Sequence, residues 1–558
     1  MGLLGVLNTA KVSLLAQQLA IEVTGNNIAN VQTEGYSRQD INFEALEPRT
    51  TENGPLGTGV QLGGIERAHD KFLFSQIMGE VGALGEFGVR KDVFDQLEIL
   101  FSESNGLSLN QSLGNFFSSL QDLSSNPSGL PERSNVLAQA QSLASTFTDL
   151  GESLLTIQRN LDSAIPVDVA RINSLTTEIA KLNSAIHASE AGAFSANDLK
   201  DKRDLRVKEL GEIIDLTVVD QMNGQLSLTL SDGTQIVNAE TSFDVSSTGN
   251  GNNKGFRDVT IVDINGNTVN ISSLLKGGSL KGRLDMRDVE VVNIKDKLDR
   301  LAASFIQEFN NIHQQGFGVD GTTGNNFFEA PSVTAITNTN NTGSASLTAT
   351  NGNPSAISND KFEITFTGSN SFTLDNLTTG VSEGTFNFTA GSTFNIAGGF
   401  AVTITGSPAV GDKFKISISE DAAQTFSVSS EVSSNANKIS AGLNSGADGG
   451  NALNLIELQS KLTFDGITHI SGGSGAFTFD EFYSSIVSNL GIQAFSTEAT
   501  LSQQEGILLQ LNNRRQSISG VSIDEEFVNM IKFQHAFNAA ARMITIIDEL
   551  LDTVGQTV

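Results

Sequence analysis

Five histidines, His69, His187, His313, His469 and His535, are the residues most suited to acid–base or metal chemistry. None opens the His-Glu-x-x-His spacing that sets two imidazoles and a general base on one helix face, so zinc hydrolase chemistry lacks its ligands. Surface or helix-packing roles are expected for them. The chain has no cysteine, which removes disulfides, thiolate nucleophiles and thiolate metal sites together. The run Val319-Asp320-Gly321-Thr322-Thr323-Gly324-Asn325 has the polar residues of a calcium loop but not its alternating carboxylates and distal Glu, so a plain turn is expected. Gly277-Gly278-Ser279-Leu280-Lys281-Gly282 lacks the spacing and the terminal Lys-Ser/Thr of a phosphate loop, and reads as a hinge leading into a helix. No pair of carboxylates can be placed across a cleft, so glycosidase chemistry has no specific support. The expectation is no catalytic residue, no metal ligand and no cofactor.

With chemistry unsupported, the elements themselves become informative. At 558 residues the chain exceeds the roughly 250–300 residues at which one core stops growing, so several domains are expected. Hydrophobic residues make up 38%, enough for packed cores, and 54 Gly against 8 Pro indicates many turns. A net charge of −29 repels phosphate backbones and anionic membrane surfaces, which argues against nucleic acid and membrane partners. No apolar run of about 18 residues occurs, and the first residues lack the basic head and apolar stretch of a cleaved secretory signal. Aromatic usage, 34 Phe with 2 Tyr and no Trp, suits buried packing more than sugar stacking.

Both ends read as long helices. Leu3, Leu7, Ala10, Leu14, Gln17, Ile21, Thr24, Ile28 and Val31 alternate by four and three, and Asn26, Asn27, Asn30 and Gly35 then break the helix. At the other end Ser522 or Asp524 can cap a helix carrying Met530, Phe533, Phe537, Ala540, Ile544, Ile547, Leu551 and Val554. Further heptad stretches run over Val136–Leu161, Ile172–Ile186, Leu284–Ile312 and Val487–Ile518, with Pro166 predicted to divide the first two into an antiparallel pair. Two stretches change to period two: Leu216–Leu275, as in Gln225-Leu226-Ser227-Leu228-Thr229-Leu230, and Val333–Val432, as in Phe362-Glu363-Ile364-Thr365-Phe366. Both read as β modules inserted in a helical frame.

Specific runs resemble the flagellar axial-protein family of bacteria, and within it the hook–filament junction members. Asn26-Asn27-Ile28-Ala29-Asn30 followed by Gly35-Tyr36-Ser37-Arg38-Gln39 is similar to the family's Asn-rich helix end and its continuation. Ile518-Ser519-Gly520-Val521-Ser522-Ile523-Asp524-Glu525-Glu526, Phe533-Gln534 and Ala539-Ala540-Ala541-Arg542 resemble its C-terminal helix. Asn197-Asp198-Leu199-Lys200-Asp201-Lys202-Arg203-Asp204, Gly277–Leu284 with Arg287-Asp288, and Asp448-Gly449-Gly450-Asn451 resemble junction-protein landmarks in the expected order. The stretch 332–432 resembles the family only in kind.

The predicted fold class is therefore multidomain α+β, with terminal coiled-coil helices, a helical rod domain and inserted all-β modules. The expected division is 1–35 plus 520–558 as a terminal inner-tube domain, 36–212 plus 284–331 plus 433–519 as the rod domain, 213–283 as one β module and 332–432 as another. The resemblance implies a secreted structural subunit, exported by the flagellar type III apparatus and self-assembling into a ring at the extracellular hook–filament junction. It also implies contacts with hook protein, a second junction protein and an export chaperone. Periodicity alone suits an intramolecular bundle, but the resemblance turns the seams toward subunit interfaces through Leu3, Leu7, Ala10, Leu14, Ile21, Ile28, Met530, Phe533, Phe537, Ala540, Ile544, Ile547 and Leu551. Alternatives are a hook or distal rod protein, or an adhesin or enzyme module in 332–432.

Overall fold

Apolar positions recurring by three and four give helix α1 (Leu3–Ala29), which frays where Asn30 folds its amide back onto Asn26. This computed structural model describes residues 3–51, 54–102, 108–192, 195–221, 223–352, 358–464 and 477–557; His469 lies outside them. After α1 come strands β1 (Gln39–Ala45), β2 (Arg49–Thr51), β3 (Gly54–Leu56) and β4 (Val60–Arg67), with β1 paired antiparallel to β4 and β2 to β3. Helices α2 (Lys71–Phe101), α3 (Leu109–Ser125), α4 (Leu130–Glu190) and α5 (Asn197–Ile213) follow.

Strands β5 (Thr217–Asp220), β6 (Leu226–Thr229), β7 (Gln235–Asn238) and β8 (Thr241–Ser242) form one antiparallel sheet, and β9 (Val245–Gly249), β10 (Arg257–Val262) and β11 (Thr268–Asn270) another. From Gly278, whose φ of 91° suits only glycine, the chain enters α6 (Ser279–Asp285), a π turn at Met286–Glu290 and α7 (Val291–His313). The insertion holds β12 (Thr334–Thr337), β13 (Ser346–Asn351), β14 (Phe362–Gly368), β15 (Ser371–Asn376), β16 (Val381–Asn387), β17 (Thr393–Asn395), β18 (Phe400–Thr405) and β19 (Lys413–Ser417). They form a five-stranded sheet, β12-β19-β14-β15-β16, and a three-stranded sheet, β13-β18-β17. The chain ends with α8 (Ser430–Ser434), α9 (Gly450–Glu457), α10 (Phe479–Ser519) and α11 (Ile523–Thr557).

Three main apolar cores hold these elements. The first joins α2, α3, the proximal half of α4, α7, α9 and the start of α10, with Phe116, Phe305, Phe309, Phe327 and Phe328 in mutual ring contact. The second joins the distal half of α4, α5 and α6 to the strands from β6 to β10. The strands of 217–270 thus share their core with helices. The third lies between the two sheets of the insertion, where alternate residues Phe362, Ile364, Phe366, Phe372 and Leu374 point inward.

One expectation is overturned. Pro166 does not divide an antiparallel pair; α4 runs unbroken for 61 residues with Pro166 inside. Its stripe of Leu161, Ile165, Val169, Ile172, Leu175 and Ile179 continues across the proline, with Leu161 buried in the first core and Ile165 onward in the second. Burial at about 1.5–3 kcal/mol per large aliphatic side chain outweighs an interior proline's roughly 3 kcal/mol. The antiparallel neighbour of distal α4 is α5, joined through Arg171–Glu209 and Arg206–Glu178 pairs.

Candidate assembly site

Helices α1 and α11 pack along one another. On α1, Ala10, Ala16, Ala20, Val23, Thr24 and Asn27 are buried; on α11, Glu526, Ala540 and Ile547 are. Of the residues expected at subunit contacts, Ala10, Ala540 and Ile547 are buried within this single chain. Leu3, Leu7, Leu14, Ile21, Ile28, Met530, Phe533, Phe537, Ile544 and Leu551 are half-buried. Phe533 meets the Phe43 ring of β1 with centroids 6.4 Å apart, and Thr9 donates to Thr58 O at 3.1 Å, so the β1–β4 hairpin also rests against the helix pair. The opposite side of α11 carries a second apolar set that periodicity did not single out. Ile523, Phe527, Val528 and Ile531 near its start, and Met543, Ile546 and Leu550 near its end, are each about half exposed.

A buried polar node seats the terminal helices on the helical body at α5. Asn27 Nδ2 donates to Gln39 O at 2.9 Å, while Asn27 Oδ1 accepts from Gln39 N and from the Tyr36 hydroxyl, both at 2.9 Å. The next residues bind α5: Ser37 N donates to Asp201 Oδ2 at 2.8 Å, and Gln39 Nε2 to Asp198 Oδ1 at 2.7 Å. Arg67 at the end of β4 pairs with Asp201 at 2.9 Å and Asp204 at 2.7 Å. Burial raises the Asp201 pKa, opposed by the Ser37 amide and the Arg67 guanidinium. Burial, then the carboxylates of Asp198, Asp201 and Glu526, keep Tyr36 protonated well above the ordinary phenol range.

The return strand of the linker completes the node. Arg38 N donates to Ser519 O at 2.8 Å, Arg38 O accepts from Ala68 N at 2.8 Å, and the Arg38 guanidinium lies 3.5 Å from Glu525. Gly35 makes the entry turn at φ 81°, where a Cβ would sit 3.4 Å from Leu205 Cβ. The Gly35–Gln39 and Asn197–Asp204 runs, separate landmarks in the sequence, are thus two sides of one structure. Between residues 30–38 and 515–525 lies a polar groove of about 640 Å³.

The other singled-out residues take structural positions. His313 is fully buried: its Nε2 accepts from Ser440 N at 2.9 Å, so Nδ1 carries the proton toward Asn325 O at 2.8 Å. Burial lowers its pKa to about 4. Asp320 accepts from the amide and hydroxyl of Thr322 in a turn closed by positive-φ Gly321 and Gly324. Asp448 accepts from the amides of Leu443, Asn444, Ser445 and Gly450, which hold its carboxyl far below the usual range. Arg287, fully buried on the π turn, binds Asp288 through two nitrogens and Asp162 at 2.7 Å, and tethers the second core to the first. Among the described residues no group of three or more His, Cys, Asp or Glu could hold a metal ion. No helix among them is long and apolar enough to cross a membrane.

Long terminal helices seated on a helical body, with inserted sheets, are an architecture shared with bacterial flagellar axial proteins. A family model described as the helical domain of flagellar hook-associated protein FlgK matches residues 94–328. Flagellar basal-body rod models match residues 7–36 and 514–557. Flagellar hook-associated protein 1 of Escherichia coli strain K12 is 28% identical over 554 residues, covering 98% of this chain and 99% of the relative. Its namesake from Bacillus subtilis strain 168 is 28% identical over 579 residues, covering 98% and 97%. The solved flagellar hook junction protein FlgK of Burkholderia pseudomallei superposes with a TM-score of 0.70 at 20% identity, over 80% of this chain and 100% of that one. Over nearly its whole length the chain is thus similar to flagellar hook-associated protein 1 of other bacteria, with the fold of the solved junction protein.

Proposed function

We propose that this chain works as an adaptor that matches two polymers by geometry. It is a structural subunit of the bacterial flagellum that joins hook to filament. The observation that carries the mechanism is the outward apolar set on α11, Phe527, Ile531, Ile546 and Leu550, each about half exposed in the monomer although the inner seam is occupied by α1. Copies packed through this set build a ring, with the inner seam serving contacts within each chain and its half-buried residues completing the contact to neighbours. One face of the ring accepts hook protein and the other templates a second junction protein. The chain reaches this extracellular site by type III export with a chaperone. Its work is carried by surfaces, not by catalysis.

The division into a terminal inner-tube domain, a rod domain and two β modules is part of the same proposal. The node at Asn27, Gln39, Asp201 and Arg67 transmits the ring's register to the rod. The test is Ile531→Asp or Ile546→Asp in the native host: each is exported, yet swimming stops and filament subunits appear in the medium. Normal swimming of both variants would remove the outward set from the mechanism.

A further inference from the structure

The 332–432 sandwich enters through β12 and leaves through β19, which are adjacent antiparallel strands. A stalk of two strands would by itself let the sandwich swing. Around its base, however, seven charges alternate in sign. Lys361 Nζ lies 2.7 Å from both Asp296 Oδ1 and Glu420 Oε2. Lys254 Nζ lies 2.5 Å from Glu420 Oε1 and 3.2 Å from Asp421 Oδ1. Lys295 Nζ lies 2.6 Å from both Asp421 Oδ1 and Asp299 Oδ2, and Asp299 Oδ1 accepts from Ala423 N at 2.9 Å. The three lysines come from three bodies: the β9–β10 turn, α7 and the edge of the sandwich at β14.

Three further features point to the same junction. Among the described residues only Ala239, Lys254 and Asp421 are non-glycine residues at positive φ, and two of these, Lys254 at 51° and Asp421 at 56°, face each other here. Such backbone is unfavourable for a residue with a side chain and persists where surroundings over-determine it. Asn252 Oδ1 accepts from both Thr339 N and its hydroxyl, and a Cβ on Gly251 would lie 2.7 Å from Thr339 Cγ2, so the two β modules meet closely. Asn359 Nδ2 donates to Ser304 Oγ of α7 at 2.8 Å. Burial raises Glu420, but Lys361 and Lys254 draw its pKa down to about 2, so this shared carboxylate is ionised at neutral pH.

We infer that this alternating network is a lock that fixes the sandwich on the body at one orientation, making the insertion a rigid arm that presents one constant outer face. Exposed pairs taken singly contribute little, but a network of partly buried charges shared by three bodies constrains direction as well as distance.

The absence of native cysteine allows the test on the full chain, with spin labels at Gln141→Cys on α4 and Thr379→Cys on the sandwich. Pulsed dipolar spectroscopy should give a narrow distance distribution in this labelled parent. Glu420→Gln with Asp421→Asn should broaden it at least twofold, while hydrogen exchange at Ile364 and Phe372 stays protected. A distribution as narrow as the parent's would overturn the lock. If the double variant loses the sandwich, Lys254→Gln, which removes a half-exposed lysine outside it, carries the test. Broadening there supports the lock, and an unchanged width overturns it.

Discussion

Replacing Asn27 by Ala tests the node most sharply, because one 1%-exposed side chain satisfies two backbone groups and a phenol. Its loss leaves the Gln39 N–H and C=O and the Tyr36 hydroxyl without these partners. Each unsatisfied buried group costs about 1–3 kcal/mol, and with water recovering part of that the local penalty is about 3 kcal/mol. At 1.4 kcal/mol per tenfold, opening of the linker becomes roughly a hundredfold more frequent. Hydrogen exchange reads this at the Ser37 and Arg38 amides, which bind Asp201 and Ser519 and not Asn27 itself. Both should exchange about a hundredfold faster, while the amides of Ile364 and Phe372 in the sandwich stay unchanged. Asn30→Ala removes only exposed side-chain bonds to Asn26 and Thr33 and should leave all four within about twofold. Equal protection of Ser37 and Arg38 in Asn27→Ala and the parent would refute the node as the seat of the terminal helices.

Three other outcomes are expected. Limited proteolysis of dilute monomer should cut within 3–29 and 523–557 before the rest, since α11 buries few residues; resistance of both ends would contradict this. Arg287→Met should lower stability by about 3–5 kcal/mol, measured as a shift in denaturant midpoint, because Asp288 and Asp162 lose a buried partner. His313 has a folded pKa of about 4 against an ordinary 6.5, so the unfolded chain takes up its proton first. Its contribution is present above about 6.5 and is lost as pH falls toward 4. The melting temperature of His313→Gln should therefore fall less between pH 7 and 5 than the parent's, and parallel slopes would contradict the assignment.

The terminal helices and the strands were legible because one buried face imposes a period of 3.5 or 2 on its residues. Helix α2 was not, since Gly79, Gly82, Gly85 and Gly88 mimic a loop composition. At two of these the reason is close approach: a Cβ on Gly85 would fall 2.2 Å from Glu212 O, and Gly82 O accepts from Gly278 N at 2.9 Å. The β1–β4 hairpin was hidden by its bulge between Asn42 and Phe43 and by Gly63-Gly64. Pro166 misled because local rules cannot weigh two cores that meet at one helix. For the node, residue types were visible but not their pairing, since Ser37 and Asp201 stand 164 positions apart. The outward set on α11 was overlooked because the seam alone satisfied the heptad pattern.

Immunogold labelling of intact flagella from the native host tests the central claim most directly. With antibody to the exposed sandwich, the account predicts a discrete band at the boundary between hook and filament. Label spread along the filament, or confined to the rod, would contradict it.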